Sequence, residues 1–227
     1  MSDFKEQYNT NLDICTKVRN PLFKIGKDFQ CDVGEHPTSW VDAECQFATR
    51  HIKTNSPKSI LDIGSYRHYI LGLLSFYDVT TMDIRPRKTD IPNETALVSS
   101  ATNFPVDTNM YDLVLSLCTL EHVGLGRYGD EFDIDGDQKC FNEMIRVLKP
   151  GGILVFTTTI TKAQPIIWFN ANRTYNYDMI YQFCKPLVLV QEMFYSTTLN
   201  NYCSLEEITD DSDHRWWSVY LGCWRKP

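Results

Sequence analysis

The sequence predicts an α/β fold: an open, doubly wound, mostly parallel sheet that ends in a C-terminal antiparallel hairpin. Three observations lead there. Short apolar runs alternate with helical stretches between residues 58 and 160, the rhythm that parallel crossover units produce. The run DLVLSL at 112–117 is apolar almost throughout, as a strand buried on both faces must be. Beyond residue 187 two β-rich runs, 187–195 and 216–224, are joined by a polar, acidic connection with no clear helix.

The elements follow in order. Residues 1–57 are polar with scattered aromatics and end in the punctuation NSP. Within them Ser39 precedes Asp42 at capping-box spacing. Val41, Cys45, Ala48 and Ile52 then recur at helical spacing, so a helix is expected over 40–53. Segment 1–57 therefore reads as an N-terminal helical cap, part of the same domain as the α/β region 58–227. Strands are expected at 59–63, 78–82, 96–99, 112–117 and 153–158, and helices at 69–76 and 138–148. The second helix carries Cys140, Phe141, Met144, Ile145 and Leu148 on one face, and KPGG at 149–152 is expected to end it.

Composition bounds the function. The chain has 227 residues, 43% hydrophobic and 22% charged, which is ordinary for one globular domain. A net charge of −7 disfavours nucleic acid and anionic lipid, and the densest basic run, RPRK at 85–88, is short. Eight cysteines are spread without a C-x-x-C pair, so reduced and mostly buried thiols are expected rather than a zinc site or a disulfide scaffold. The N-terminal stretch has no apolar leader and no segment reaches membrane-span length. The expectation is a cytoplasmic protein with no nucleic-acid and no membrane partner.

The stretch LDIGS at 61–65 puts Gly64 where open α/β sheets bind ligands, at the carboxyl end of the first strand. A strand followed by glycine is common, but the second strand adds weight. It ends in Asp83, twenty-one residues after Asp62, where an acid can accept both ribose hydroxyls of an adenosine cofactor. The further glycines of a pyrophosphate loop are absent. S-adenosylmethionine has no phosphate, so its loop tolerates Ser65 and Tyr66 there.

With LDIGS, the acid of TMDIR, SSATNFP, YDLVLSLCTLEHV and EMIRVLKPGGILVFTT, residues 58–160 resemble the class I S-adenosylmethionine-dependent methyltransferases. The segment LEHVGLGRYGD resembles more closely an uncharacterised methyltransferase-like family linked to bacterial surface carbohydrate genes. The resemblance implies a Rossmann-like sheet and S-adenosylmethionine as cofactor. Asp62, Gly64, Ser65 and Tyr66 would shape its methionine end, and Asp83 with Ile84 would hold the ribose. Ser100 and Ala101 would face the adenine, with a hydroxyl where the superfamily usually has a carboxylate. Ser116 and Leu117 would close the pocket through backbone groups. It also implies a methyltransferase activity, with a non-catalytic cofactor-binding or partner protein as the alternative.

Chemistry is expected just past the fourth strand. Transfer to an alcohol needs a base, and His122 has a suitable ordinary pKa of about 6.5; Asp130 and Glu121 are the other candidates. Arg127 and Tyr128, flanked by glycines, suit a polar or anionic acceptor. Asn170, Arg173 and Tyr175, after the fifth strand, suit a hydroxylated or sugar-like one. The acids of DIDGD at 133–137 begin like a calcium loop, but Gln138 and Met144 stand where glycine and glutamate are needed. No metal is expected, and Asp135 or Asp137 should cap the following helix. The expected acceptor is a small polar metabolite or a carbohydrate, methylated on oxygen.

Overall fold

The computed structural model describes residues 2–17, 25, 27–34, 36–87, 90–210 and 217–227. Lys88 of the basic run and Trp216 of the last predicted strand lie outside them. The chain divides into compact units at 1–37 and 38–227. In the first, helix α1 (Ser2–Lys17) sets Phe4 and Tyr8 edge-on against Phe29, at 5.8 and 5.0 Å between ring centroids.

The second unit begins with helix α2 (Trp40–Asn55), two residues longer than expected. Its capping box forms: the Ser39 hydroxyl accepts from the Val41 amide and the Asp42 carboxylate accepts from the Ser39 amide at 2.9 Å. Ala43, Phe47, Ala48 and Ile52 are its buried face. That face shares one core cluster with the sheet residues Leu113, Leu115 and Val219, so α2 packs as an integral layer of the α/β unit.

Strands β1 (Ile60–Ile63), β2 (Val79–Asp83), β3 (Glu94–Val98), β4 (Tyr111–Leu117) and β5 (Leu148–Ile160) are parallel. Helices α3 (Arg67–Leu73) and α4 (Gly136–Val147) connect them. Past β5 come a hairpin, β6 (Ile166–Trp168) with β7 (Asn172–Thr174), and helix α5 (Tyr177–Cys184). Strands β8 (Val188–Ser196), β9 (Asn201–Cys203) and β10 (Ser218–Arg225) complete the sheet. Its order is β3-β2-β1-β4-β5-β10-β8-β9, a doubly wound arrangement with an antiparallel end.

Several expectations are corrected. KPGG does not end α4; the helix stops at Val147, and Leu148–Ile160 is one strand with an irregular register opposite Tyr111–Leu113. The turn within it is accommodated by Gly151 at φ +79°, and pairing continues through the Gly151 amide, which donates to the Lys226 carbonyl at 2.9 Å. The expected terminal antiparallel pair does form: β8 and β10 extend the sheet beyond β5. β10 inserts between β5 and β8, antiparallel to both, and its residues 218–224 are all buried. An apolar run such as SVYLGCW is stable only with a layer on each face. Only three cysteines (Cys140, Cys184, Cys223) are fully buried; Cys15 and Cys31 are exposed.

The two faces of the sheet carry two cores. α4 and α5 cover one with Cys140, Phe141, Met144, Val147 and Phe183; α2 and α3 cover the other. At the amino edge Asp112 joins three strands. Its carboxylate accepts from the Lys58 and Ser59 amides at 2.9 and 3.0 Å and from Lys149 Nζ at 2.8 Å. That leaves the carboxyl edge of β1–β4 free for a ligand.

Gly222 in β10 has no room for a side chain. A Cβ there would lie 2.5 Å from the Tyr220 ring and 2.8 Å from Trp224 Nε1, which donates to the Tyr220 hydroxyl at 2.9 Å. Gly222→Ala should therefore destabilise the protein by about 1–3 kcal/mol, seen as a lower urea midpoint at unchanged slope. A wild-type midpoint would show that the Tyr220–Trp224 pair moves freely.

Candidate active site

Between the carboxyl ends of β1–β4 and the loop 118–133 lies a cavity of about 560 Å³. Gly64, Asp83, Ile84, Ser100, Ala101, His122, Tyr128 and Asp130 all line it. These are eight of the positions singled out in the sequence, and the fold brings them together from four strand ends. Arg85, Cys118, Thr119, Phe132 and Lys139 line it as well.

The turn after β1 is tightly held. Gly64 has φ +64°, and a Cβ there would meet Thr119 Cγ2 at 2.8 Å. Its amide donates to the Met82 carbonyl at 3.0 Å, and the Ser65 hydroxyl accepts from the Leu117 amide at 3.0 Å. Ser65 is thus a strand tie, buried away from the cavity. Beneath the turn Asp62 is 0% exposed, and neither of its carboxylate oxygens has a hydrogen-bond partner among the described residues. Burial pushes its pKa up to about 7, although Ser65 close by pulls the other way. A buried carboxylate without a partner is expensive. Asp62 itself does not line the cavity; its neighbours Ile63 and Gly64 do.

Tyr66 faces elsewhere. Its hydroxyl donates to Glu44 of α2 at 2.8 Å, so it braces the helix layer rather than the cavity. Glu44, 0% exposed, also accepts from Thr157 Oγ1 at 2.5 Å and Cys118 Sγ at 2.7 Å. Burial raises its pKa, which favours the protonated acid. No spacing in the sequence separates this acid from the solvated ones around it; only its position on the buried face of α2 does.

Asp83 stands at the end of β2 with its carboxylate toward the cavity. Burial works against its charge, but hydrogen bonds and charge from Arg85 outweigh it and lower the pKa. On β4, Ser116 is 0% exposed with no partner for its hydroxyl among the described residues, and Leu117 is buried too. Neither lines the cavity. Cys118 does, at φ +45°, where β4 turns sharply into the single-turn helix Leu120–His122.

That turn separates two neighbours. Glu121 points inward, 1% exposed, and accepts from Thr158 Oγ1 at 3.0 Å. Burial pushes its pKa up to about 7. It does not reach the cavity, so the structure removes it from the candidate bases. His122 faces the cavity, and its Nδ1 lies 2.6 Å from the Ala171 carbonyl. A carbonyl only accepts, so Nδ1 carries the proton and Nε2 keeps a lone pair in the neutral ring. Burial lowers the His122 pKa, so the ring is neutral near pH 7.

Asp130 lines the cavity but is committed. Its carboxylate accepts from the Gly124, Gly126 and Tyr128 amides at 2.8, 3.2 and 3.1 Å, shaping the loop. Arg173 and Tyr175 are corrected as acceptor contacts. Arg173 is 4% exposed and donates to the Val123 and Ile134 carbonyls at 2.6 and 3.0 Å. Buried Tyr175 donates to Asp137 at 2.9 Å. Both hold the loop from below. Asn170 sits at the exposed tip of the β6–β7 hairpin, away from the cavity. Arg127 is exposed at the rim, over Tyr128. Asp135 occupies the N-cap position of α4 without a side-chain cap bond. Among the described residues no cluster of three or more His, Cys, Asp or Glu could hold a metal.

The family described as "Caenorhabditis protein of unknown function, DUF268" matches residues 53–183, more than half of the chain. The chain belongs to the DUF268 family. No curated protein matches its sequence. Solved structures place this DUF268 chain within the class I methyltransferase fold. N-methyltransferase NodS from Bradyrhizobium japonicum, in complex with S-adenosyl-L-homocysteine, is 14% identical over 82% of this chain and 87% of its own, with TM-score 0.55. The 1,6-didemethyltoxoflavin-N1-methyltransferase of Burkholderia thailandensis, with bound 1,6-didemethyltoxoflavin and S-adenosylhomocysteine, is 13% identical over 99% of this chain and 86% of its own, with TM-score 0.56. The [4+2]-cyclase SpnF shares the fold at TM-score 0.58, 13% identical over 86% and 85%. Among the described residues no helix is long and apolar enough to cross a membrane.

Glu121 offers a test of the buried electrostatics. Its pKa is raised from 4.5 to about 7 on folding, so its contribution to stability is complete below the unfolded value and lost as pH rises through the folded one. Glu121→Gln keeps an acceptor for Thr158 and cannot ionise. Its urea midpoint should match wild type at about pH 5 and exceed it at about pH 8. A difference independent of pH would show that Glu121 does not titrate in this range.

Proposed function

We propose that this chain transfers the methyl group of S-adenosylmethionine to an oxygen of a small polar or sugar-like acceptor. The observation that carries the reading is the convergence on one cavity of Gly64, Asp83, Ser100 and His122, above the unpartnered carboxylate of Asp62. The fold is one in which NodS was crystallised with S-adenosyl-L-homocysteine. S-adenosylmethionine supplies a methyl group on a sulfonium, which departs as a neutral thioether when an acceptor displaces it.

The chain's own residues fit that group. Gly64 leaves the backbone bare for close approach, with the buried carboxylate of Asp62 lying beneath that turn and adding negative potential on the methionine side. Asp83 offers acceptors to the ribose hydroxyls, and Ser100 with Ala101 forms the adenine wall. His122 Nε2 takes the acceptor's hydroxyl proton as the new C–O bond forms; its Nδ1–H stays on Ala171, which fixes the ring. Met82, Val123 and Phe132 give the cavity an apolar wall beside these polar groups. For the acceptor, the reading rests on Tyr128 and Arg127 beside the mouth and on the likeness of LEHVGLGRYGD to the carbohydrate-linked family.

A second reading is cofactor binding without methyl transfer. What favours it is SpnF, a [4+2]-cyclase on the same fold. Turnover with an acceptor separates the two.

Calorimetric titration with S-adenosylhomocysteine is the direct test of the pocket. Asp83→Ala should weaken binding about 10- to 100-fold, since hydrogen bonds from a charged acceptor are lost. Gly64→Ala should weaken it further through strain at φ +64° and contact with Thr119. Unchanged affinity in either folded variant would sink the assignment.

For catalysis, a screen of sugars and hydroxylated metabolites comes first. With an acceptor in hand, His122→Ala should lower kcat by ~10²–10⁴ at nearly unchanged S-adenosylhomocysteine affinity. Because burial lowers the His122 pKa below its ordinary 6.5, the wild-type rate should rise with pH through a value below that and be flat at neutrality. Near-normal turnover without the imidazole, or a rate with no acid limb, would remove His122 as the base.

A further inference from the structure

Asp83, the carboxylate assigned to the ribose, is already occupied. Three donors of Arg85 reach it: the backbone amide and Nε bond to Oδ1 at 2.9 and 3.0 Å, and Nη2 bonds to Oδ2 at 2.8 Å. A carboxylate has about four lone-pair sites, so these bonds leave roughly one. Two ribose hydroxyls need two. At least one guanidinium bond must break before a ribose can be held in the way that the second-strand acid holds one.

The same guanidinium reaches across the mouth. Arg85 Cζ sits 4.7 Å from the centroid of the Tyr128 ring, and Arg127 Cζ sits 5.4 Å from it. Arg85 therefore bridges the cofactor side of the cavity and the loop proposed for the acceptor. Its side chain is 59% exposed, which leaves it room to swing outward. Arg87 cannot take its place. Arg87 is tied to Glu94 at 2.8 Å and stands 3.9 Å from Asp83, near enough to keep that acid ionised but too far to bond to it.

We propose that Arg85 is a latch on the ribose site: without cofactor it fills Asp83 and pins Tyr128, and the ribose hydroxyls displace it. The inference rests on the cofactor reading above. Displacement frees the guanidinium from its ion pair, and its exposure lets it swing outward from the cavity mouth.

The test is the S-adenosylhomocysteine dissociation constant of wild type, Arg85→Ala and Arg85→Lys by calorimetry. Removing a competing side chain should tighten binding, by about 3- to 10-fold for Arg85→Ala, the range of a partly exposed, forked ion pair. Arg85→Lys keeps the charge but loses the fork and should fall between the two. Raising salt should narrow the gap between wild type and Arg85→Ala by screening the pair. Binding by Arg85→Ala alone, with wild type silent, would show the latch at its strongest. Equal or weaker binding by Arg85→Ala than by wild type overturns the latch and leaves the cofactor reading standing. No binding by any of the three overturns the cofactor reading, and the latch with it.

Discussion

The turn after β1 is pinned on both sides. Gly64 donates its amide to Met82 at the end of β2, and Ser65 accepts the amide of Leu117 at the end of β4. Thr119 then packs so close to Gly64 that no Cβ fits between them. Three strand ends are held at fixed separation by one dipeptide. The cavity walls, the exit of β4 and the aim of His122 all follow from that spacing. A parallel sheet buried on both faces has its polar groups accessible only at its edges, and Asp112 binds the opposite edge shut.

Below the cavity the protein concentrates acids that water does not reach. Asp62, Glu44 and Glu121 are all essentially unexposed, and burial raises the pKa of each. Their environments differ in a way that matters. Glu44 is satisfied by three hydroxyl or thiol donors, and Glu121 by Thr158, so both are structural. Asp62 makes no well-formed hydrogen bond among the described residues, and Ser65 is the neighbour that eases its charge. Low dielectric makes each partner count for more and each missing partner cost more, so Asp62 is the costliest of the three to keep ionised.

The loop 123–136 is tied both from within and from a distant hairpin. Asp130 gathers three of its amides, and Arg173 gathers its carbonyls from a hairpin fifty residues away in sequence. Gly124 and Gly136 touch backbone to backbone, where a Cβ on Gly124 would lie 2.3 Å from the Asp133 carbonyl. Ala171, from that same hairpin, supplies the carbonyl that orients His122. Arg173 and Tyr175, which read in the sequence as acceptor contacts, are instead buried ties within this scaffold.

The strands, the cap of α2, the glycine turn and the acid after β2 were legible in the sequence because local rules govern them: burial sets apolar runs, capping sets helix starts, and a positive φ demands glycine. The region just past β4 was legible as well, since the end of a parallel strand opens onto the carboxyl edge of the sheet. What the tertiary structure decided were pairings across long separations. Glu121 and His122 are adjacent in sequence, yet a single-turn helix sends one into the core and the other into the cavity. Arg173 and Tyr175 suit a sugar by composition, but the hairpin turns them inward onto carbonyls and Asp137 that no local pattern announces. β10 carries the same apolar signal whether it lies at an edge or between two strands; only the packing of β8 beyond it settles that. Local sequence determines which groups are available, while burial and partners, which depend on the whole chain, decide which of them remain free to meet a ligand.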